Sequence, residues 1–111
     1  MIDFLLYFKI IKRKMILNKN EFVTIRVMGD SMLPTMKNGE IYNVRFVECH
    51  QVRVGDVLVY NIWNTHFTVH RVINIKYQNG HYIFKTKGDN NQVEDDYELN
   101  EAQILGVINF T

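Results

Sequence analysis

The only serine in the chain, Ser31, stands in the run Gly29-Asp30-Ser31-Met32-Leu33-Pro34. A glycine at the end of a strand lets the backbone turn tightly, and the proline stiffens the exit from the turn. A hydroxyl group held at such a turn is a candidate nucleophile, because nearby backbone N–H groups can stabilise an oxyanion. The same residues are also typical of an ordinary turn or helix cap, so this run alone does not predict catalysis.

A histidine, His70, interrupts the apolar run Phe67-Thr68-Val69-His70-Arg71-Val72-Ile73. The unperturbed pKa of an imidazole, about 6.5, suits a general base that accepts a proton near neutral pH. The alternative is a structural histidine whose two ring nitrogens find partners in the fold. His50, His66 and His81 show no metal-ligand spacing, so we expect neither a metal site nor a cofactor.

Carboxylates are concentrated after the run Thr86-Lys87-Gly88-Asp89-Asn90-Asn91, and residues 89–101 carry a charge of about −6. Asp89 lies in the glycine turn, where its carboxylate could accept a hydrogen bond from an imidazole N–H and fix the tautomer of a base. The alternative is an Asx turn in a solvated acidic loop. The spacing leaves both interpretations open.

Short strands are predicted to position these groups, because β-branched and aromatic residues dominate from residue 22 onward. Asn79-Gly80, between two such runs, predicts a hairpin with a type I′ turn. Within this region we expect helix only at residues 97–103. The fold class is therefore mainly β, a compact antiparallel sheet or partly closed barrel. The predicted strands cover residues 22–28, 41–47, 57–61, 67–75, 81–86 and 104–109.

Length and charge exclude several classes of protein. The chain has 111 residues and a net charge of +1, with 47% hydrophobic and 23% charged residues, which is typical of a folded domain and not of a disordered tail. A dedicated nucleic-acid binder would be more basic, so we expect no nucleic-acid partner. The single cysteine, Cys49, excludes an internal disulfide framework.

The N-terminal segment, residues 1–20, is basic and differs in pattern from residues 21–111. Its apolar stretch is too short and too charged to span a bilayer, and its charges follow the apolar residues, unlike those of a signal peptide. We expect an amphipathic helix in which residues 1–16 contact an anionic membrane surface or dock on protein, and a peripheral membrane or cytoplasmic location. If this segment is helical, its apolar face contains Phe4, Phe8, Ile11 and Met15.

Several motifs follow the order seen in type I signal peptidases, from about residue 22 to the C-terminus. The chain resembles the Ser-His branch of that family, which is found in archaea and in the endoplasmic reticulum. One such motif would be weak support, whereas their shared order is strong support. The matching motifs are Ser31-Met32-Leu33-Pro34, Gly55-Asp56-Val57-Leu58-Val59, Val69-His70-Arg71-Val72, Thr86-Lys87-Gly88-Asp89-Asn90-Asn91 and Leu105-Gly106-Val107.

This resemblance implies a serine endopeptidase that removes a leader or signal peptide from a precursor protein, with residues 21–111 as its catalytic domain. On the matching positions, Ser31 becomes the nucleophile and His70 its general base. Asp89 would orient the base or support the site. Asp95, with Asp96 beside it, is the next best match to a second family aspartate. The family's substrate cleft is lined by the strand before the serine, which implies substrate-binding roles for Ile25, Val27, Met28 and Met32.

Departures from the family pattern keep other functions open. Signal peptidases often carry a second serine two positions before the nucleophile as an oxyanion donor, and here that position is Gly29. Gly29-Asp30-Ser31-Met32 looks instead like LexA-type self-cleaving proteins, in which a lysine replaces the histidine. The sequence also predicts no spanning anchor of the kind that usually tethers signal peptidases. The alternatives are therefore a LexA-type autoprotease or repressor-like domain, and a non-catalytic peptide-binding module on the same fold.

Overall fold

The computed structural model describes residues 23–62 and 66–110, which form one seven-stranded antiparallel sheet. In space the strands follow the order β1-β2-β7-β3-β4-β5-β6, so β1 and β6 are the two edges and the sheet is open. The predicted mainly β class with an antiparallel sheet is confirmed. The strands are β1 (Val23–Arg26), β2 (Ile41–Arg45), β3 (Val57–Ile62), β4 (His66–Gln78), β5 (His81–Lys87), β6 (Leu99–Asn100) and β7 (Ile104–Asn109).

The predicted N-terminal helix lies outside the described residues, as do the whole of residues 1–20 and the membrane contact expected for residues 1–16. The domain boundary at residue 20 therefore stays a prediction. In the part of the chain that the structure describes, we find no helix with the length and hydropathy required of a transmembrane span.

The longest strand, β4, forms a hairpin with β5 through Asn79 and Gly80, whose φ angles are +52° and +80°. Two consecutive positive values fit the type I′ turn predicted from this dipeptide. β5 covers β4 only from Arg71 onward, whereas residues 66–70 pair with β3 on the other side. Within the described sheet, the first part of β4 therefore keeps one edge uncovered.

The helix expected over residues 97–103 is wrong in both type and extent. Leu99–Asn100 form β6, which pairs with β5, and only Glu101–Gln103 form a single turn of 3₁₀ helix. A capping box stabilises this turn, because the Asn100 side chain accepts from the Ala102 N–H and the Gln103 side chain accepts from the Asn100 N–H. Pairing with β5 thus replaces helix at Leu99 and Asn100.

Two apolar clusters hold the sheet together and receive alternating side chains from β3. Val57 and Val59 enter the first cluster, which also contains side chains of the loop between β1 and β2. Leu58 and Tyr60 enter the second cluster, which packs against β4 and β5. The buried central strand therefore links the two regions that carry Ser31 and His70.

Candidate active site

Ser31 lies in the loop between β1 and β2. Gly29 has a φ angle of +90°, which would strain any residue with a side chain, and its N–H donates to the Asn38 side-chain oxygen at 2.8 Å. Met32 and Met36 are buried in the first apolar cluster, with 2% and 0% of their surface exposed. These two anchors fix the loop on the sheet, so the Ser31 hydroxyl has a defined position.

The turn after β5 closes over the backbone of the serine loop. The Asn90 N–H donates to the Ser31 carbonyl oxygen at 2.8 Å, and the Asn90 side chain donates to the Asp30 carbonyl oxygen at 3.1 Å. A Cβ atom at Gly88 would lie 2.7 Å from the same Ser31 oxygen and 2.6 Å from Asn91 Nδ2. Position 88 therefore accepts only glycine without a shift of the backbone that carries Ser31.

His70, on β4, is 9% exposed and contacts a different side chain through each ring nitrogen. Its Nε2 lies 3.1 Å from Ser31 Oγ, and its Nδ1 lies 2.7 Å from Asp95 Oδ2. When Nδ1 carries the proton and donates it to the carboxylate, Nε2 has a free lone pair that accepts the serine O–H. This geometry is the one that a general base for a serine hydroxyl and a tautomer-fixing carboxylate require.

The loop after β5 holds Asp95 against the imidazole. The Asp95 N–H donates to the Thr86 carbonyl oxygen at 2.9 Å, and Asp95 Oδ2 accepts from the Thr86 hydroxyl at 2.6 Å. Thr86 is fully buried in β5, so both bonds tie the carboxylate to the sheet. The neighbouring Asp96 is exposed. Of these two adjacent aspartates, the structure thus brings Asp95 to His70.

Asp89 lies in another part of the site, where its described contacts do not include the imidazole. Arg71 holds the Asp89 carboxylate at two points, with Nε 2.7 Å from Oδ1 and Nη2 2.7 Å from Oδ2. The Thr35 hydroxyl donates to Oδ2, and Arg71 Nη1 donates to the Gly55 carbonyl oxygen at 2.6 Å. Asp89 thus joins the serine loop to β4. The carboxylate that contacts His70 in this geometry is that of Asp95, and the roles expected for both aspartates stay predictions.

The Arg71–Asp89 pair predicts a pH-dependent contribution to stability. Hydrogen bonds from Arg71 lower the pKa of Asp89 below its usual value of 3.8. A carboxylate with a lowered pKa stabilises the fold above its unfolded-state pKa, and this contribution is lost as the pH falls through the folded-state pKa. At neutral pH we expect Asp89→Asn to be about 1–2 kcal/mol less stable than the wild type. Urea unfolding measures this difference, which should shrink as the pH falls below 3.8.

Asp96→Asn is the matched control for that measurement, because it removes an exposed carboxylate from the same acidic loop. Its stability should stay within about 0.5 kcal/mol of the wild type at neutral pH. A stability difference for Asp89→Asn that is the same at neutral pH and at about pH 2 would show that the ionised carboxylate is not what stabilises this contact.

A cleft of about 400 Å³ opens beside Ser31, between β1 and the first part of β4. The residues predicted to bind substrate all line this cleft, and their binding role stays a prediction: Ile25, Val27, Met28 and Met32. Four further residues line it that were not predicted from the sequence: Arg26 on β1, and Phe67, Thr68 and Val69 on β4. The last three directly precede His70, and this adjacency is the sequence signal that could have identified them.

Both strands that flank the cleft have an uncovered edge in the described sheet. β1 pairs only with β2, and residues 66–70 of β4 pair only with β3. Such an edge presents backbone N–H and C=O groups that can pair with an extended peptide. Ser31, His70 and two uncovered strand edges therefore lie beside the same cleft.

The sequence profile of a family described as Peptidase S24-like matches residues 7–109. The chain belongs to the Peptidase S24-like family. The matched region includes every residue of the site described above, so the S24-like assignment applies to the part of the chain that carries Ser31, His70 and Asp95. This family match agrees with the resemblance to a peptidase family that the order of the motifs indicates.

Among characterised proteins, this S24-like chain is similar to signal peptidases. It is 34% identical over 86 residues to the "Signal peptidase complex catalytic subunit sec11" of Dictyostelium discoideum, which covers 76% of the chain and 48% of that relative. It is 31% identical over 94 residues to the "Signal peptidase complex catalytic subunit SEC11C" of Homo sapiens, and the match covers 83% of the chain and 49% of that relative. It is 29% identical over 79 residues to "Signal peptidase I W" of Bacillus subtilis, and the match covers 70% of the chain and 42% of that relative. The chain thus spans about half the length of these relatives.

Proposed function

We propose that this S24-like chain is a serine endopeptidase that removes a leader or signal peptide from a precursor protein. In this proposal Ser31 is the nucleophile, His70 is the general base and Asp95 orients the imidazole. The contact of 3.1 Å between Ser31 Oγ and His70 Nε2, beside an open cleft, carries the proposal. Similarity to proteins named signal peptidases supports the substrate class.

The proposed reaction proceeds through an acyl-enzyme. His70 Nε2 takes the hydroxyl proton as Ser31 Oγ attacks the scissile carbonyl carbon, and the C–O bond forms. The imidazolium, stabilised by Asp95, then gives this proton to the amine as the C–N bond breaks. Water attacks the resulting ester with His70 again as the base, which releases the second product and restores the serine.

Backbone groups are the proposed oxyanion donors, because Gly29 has no side chain at the position where signal peptidases often carry a second serine. The Gly29 N–H already donates to Asn38. Among the described hydrogen bonds, none uses the Ser31 N–H, so this group remains available to the developing oxyanion. One such donor contributes about 3–4 kcal/mol to transition-state stabilisation in serine peptidases.

The proposed substrate binds as an extended strand in the cleft between β1 and β4. The uncovered edges supply backbone partners, and apolar side chains such as Val27, Met32 and Val69 line the space beside Ser31. These linings favour uncharged substrate side chains near the scissile bond. A basic side chain at that position would lose hydration and gain no acidic partner, since the one charged residue in the described lining is Arg26.

A fluorophosphonate probe tests the proposed nucleophile directly. An activated serine displaces fluoride from the phosphorus atom, so we expect one phosphonyl group on the folded protein and none on the urea-unfolded protein. Because Ser31 is the only serine, mass spectrometry of the peptide that contains it gives an unambiguous position. Folded protein without any label would favour the non-catalytic peptide-binding module. Self-cleavage of the isolated chain would favour the LexA-type autoprotease.

Gly88→Ala is expected to lower kcat for peptide hydrolysis by about 10- to 100-fold, because the added methyl group would displace the Ser31 backbone by a fraction of an ångström or more. Steady-state kinetics on a fluorogenic leader peptide measures this effect. Gly80→Ala is the control, since it lies at the hairpin turn with open space around the position. It should lose stability because of its positive φ angle but keep its activity. Wild-type kcat in Gly88→Ala would contradict the close packing.

We also propose that residues 1–16 contact an anionic membrane surface. The basic side chains beside an apolar stripe support this. The double variant Lys12→Glu/Arg13→Glu should lose most of its cosedimentation with vesicles that contain anionic lipid, yet hydrolyse a soluble peptide normally. The double variant Lys37→Glu/Arg53→Glu, changed at exposed positions, is the control. Equal vesicle binding by the two variants would reject this contact.

A further inference from the structure

Behind the imidazole and Asp95 lies a buried pair of tyrosines that the proposed mechanism does not use. Tyr60 points from β3 into the second apolar cluster and is fully buried. Its hydroxyl lies 2.6 Å from the Tyr97 hydroxyl, 3.3 Å from Asp95 Oδ2 and 3.3 Å from His70 Nδ1. Phenylalanine would fill the same apolar space without the cost of burying a hydroxyl, so the polar atom requires an explanation.

The direction of the protons follows from the chemistry of the carboxylate. Asp95 is ionised when it accepts from the imidazole N–H, so every neighbour of its Oδ2 atom must donate toward it. His70 Nδ1 and the Thr86 hydroxyl are the two closest donors, at 2.7 Å and 2.6 Å. The coupled hydroxyls of Tyr60 and Tyr97 supply a further donor at 3.3 Å.

Both tyrosines keep their protons across the pH range in which a peptidase works. Burial raises the pKa of Tyr97 to about 12, and burial raises the pKa of Tyr60 further above its usual range. Their hydroxyls are therefore permanent donors and do not titrate together with the base. The two rings also meet edge to face, with centroids 6.1 Å apart, which holds the hydroxyls together.

The backbone at Asp95 and at Tyr97 is hydrogen-bonded to β5, which positions the carboxylate and the tyrosine pair. Lys85 Nζ donates to the Tyr97 carbonyl oxygen at 3.2 Å and lies 3.8 Å from Glu94 Oε1. The Asp95 N–H donates to β5 as described above. Around the imidazole, the described side chains in hydrogen-bond reach are Ser31 from the serine loop, Tyr60 from β3 and Asp95, with Thr86 and Tyr97 behind them.

We propose that Tyr60 and Tyr97 are positioning residues that hold the Asp95 carboxylate and weaken its pull on the imidazole proton. This inference rests on the proposed serine peptidase mechanism and adds two residues to it. Each donor to a carboxylate spreads its negative charge and makes it a weaker acceptor for the next donor. The pair therefore makes Asp95 a weaker acceptor for the proton on His70 Nδ1.

Tyr97→Phe tests the inference, because it removes one hydroxyl and keeps the ring. NMR titration of the His70 ring in the full chain should show its midpoint at a pH higher by about 0.5 units than in the wild type. This shift corresponds to a roughly threefold increase in proton affinity. The acid limb of kcat/KM for peptide hydrolysis should move by the same amount. We expect kcat to fall by about 3- to 10-fold while KM stays within about twofold.

Tyr82→Phe is the matched control, since Tyr82 is a half-buried β5 tyrosine whose ring packs on Tyr77 and Phe84 away from Asp95. Its NMR midpoint and kcat should equal those of the wild type. Tyr60→Phe is the second variant and should shift the midpoint in the same direction. An unchanged midpoint in both Tyr60→Phe and Tyr97→Phe would overturn the inference. The NMR titration needs no turnover, so a wild-type protein without peptidase activity would refute the proposed function separately.

Discussion

His70→Ala is expected to lower kcat for hydrolysis of a leader peptide by at least about 10⁴-fold. Without the imidazole, the Ser31 hydroxyl keeps its proton at neutral pH and is a poor nucleophile. The amine also loses the group that protonates it as it leaves. Since the imidazole contributes to both chemical steps, KM should change much less than kcat. Steady-state kinetics with a fluorogenic leader peptide measures both parameters.

His81→Ala is the matched control, because His81 is exposed at the β4–β5 hairpin and should be replaceable without loss of rate. A His70→Ala protein that retains most of its activity would indicate a lysine base instead. The candidates are Lys85 and Lys87 on β5, but Lys85 Nζ contacts the Tyr97 carbonyl oxygen and Lys87 Nζ contacts the Gly88 carbonyl oxygen. Neither described contact involves Ser31, so we expect the rate to be lost.

Asp95→Asn is expected to lower kcat by about 10³- to 10⁴-fold. An asparagine amide can offer its own N–H to Nδ1, which places the imidazole proton on Nε2 and leaves no lone pair facing Ser31. The amide also cannot stabilise the imidazolium that forms as the serine attacks. The volume of the side chain is unchanged, so the cleft and KM should be preserved. The same fluorogenic assay, with a urea unfolding curve, measures activity and folding together.

Asp89→Asn is the control that distinguishes the two aspartates. Asp89 contacts Arg71 and Thr35, so its loss should act through the support of the loop and cost about 10-fold or less in kcat. A larger loss of kcat in Asp89→Asn than in Asp95→Asn would reverse the two roles. Both variants should be compared at a temperature where each remains folded, because Asp89→Asn is expected to be less stable.

Local patterns were sufficient to predict much of the sheet. The β-rich runs around 57–61 and 81–86 became β3 and β5, and Asn79-Gly80 formed the predicted turn because few other residues tolerate two positive φ angles. The strand at 99–100 was missed because two residues carry no readable alternation, and only its pairing with β5 defines it. Long-range pairing of this kind has no local signal.

The site was predictable in its motifs and not in its geometry. The order of the motifs pointed to Ser31 and His70, and the fold places these side chains 3.1 Å apart. The sequence did not decide between the adjacent Asp95 and Asp96 or show which carboxylate of the acidic loop reaches the imidazole, because only the path of that loop over Thr86 determines this. The tyrosines at 60 and 97 are far apart in sequence and resemble ordinary core residues, so no pattern distinguished them.

The uncovered edges beside the cleft have a consequence for the choice of substrate. Only a stretch of polypeptide that can be pulled straight has free backbone groups to pair with β1 and the first part of β4. A cleavage sequence inside a stable helix or a finished domain would have to unravel before it could enter. Under the proposed function, the conformational state of the precursor would therefore act as a filter in addition to its sequence, and processing would be confined to exposed segments without stable structure.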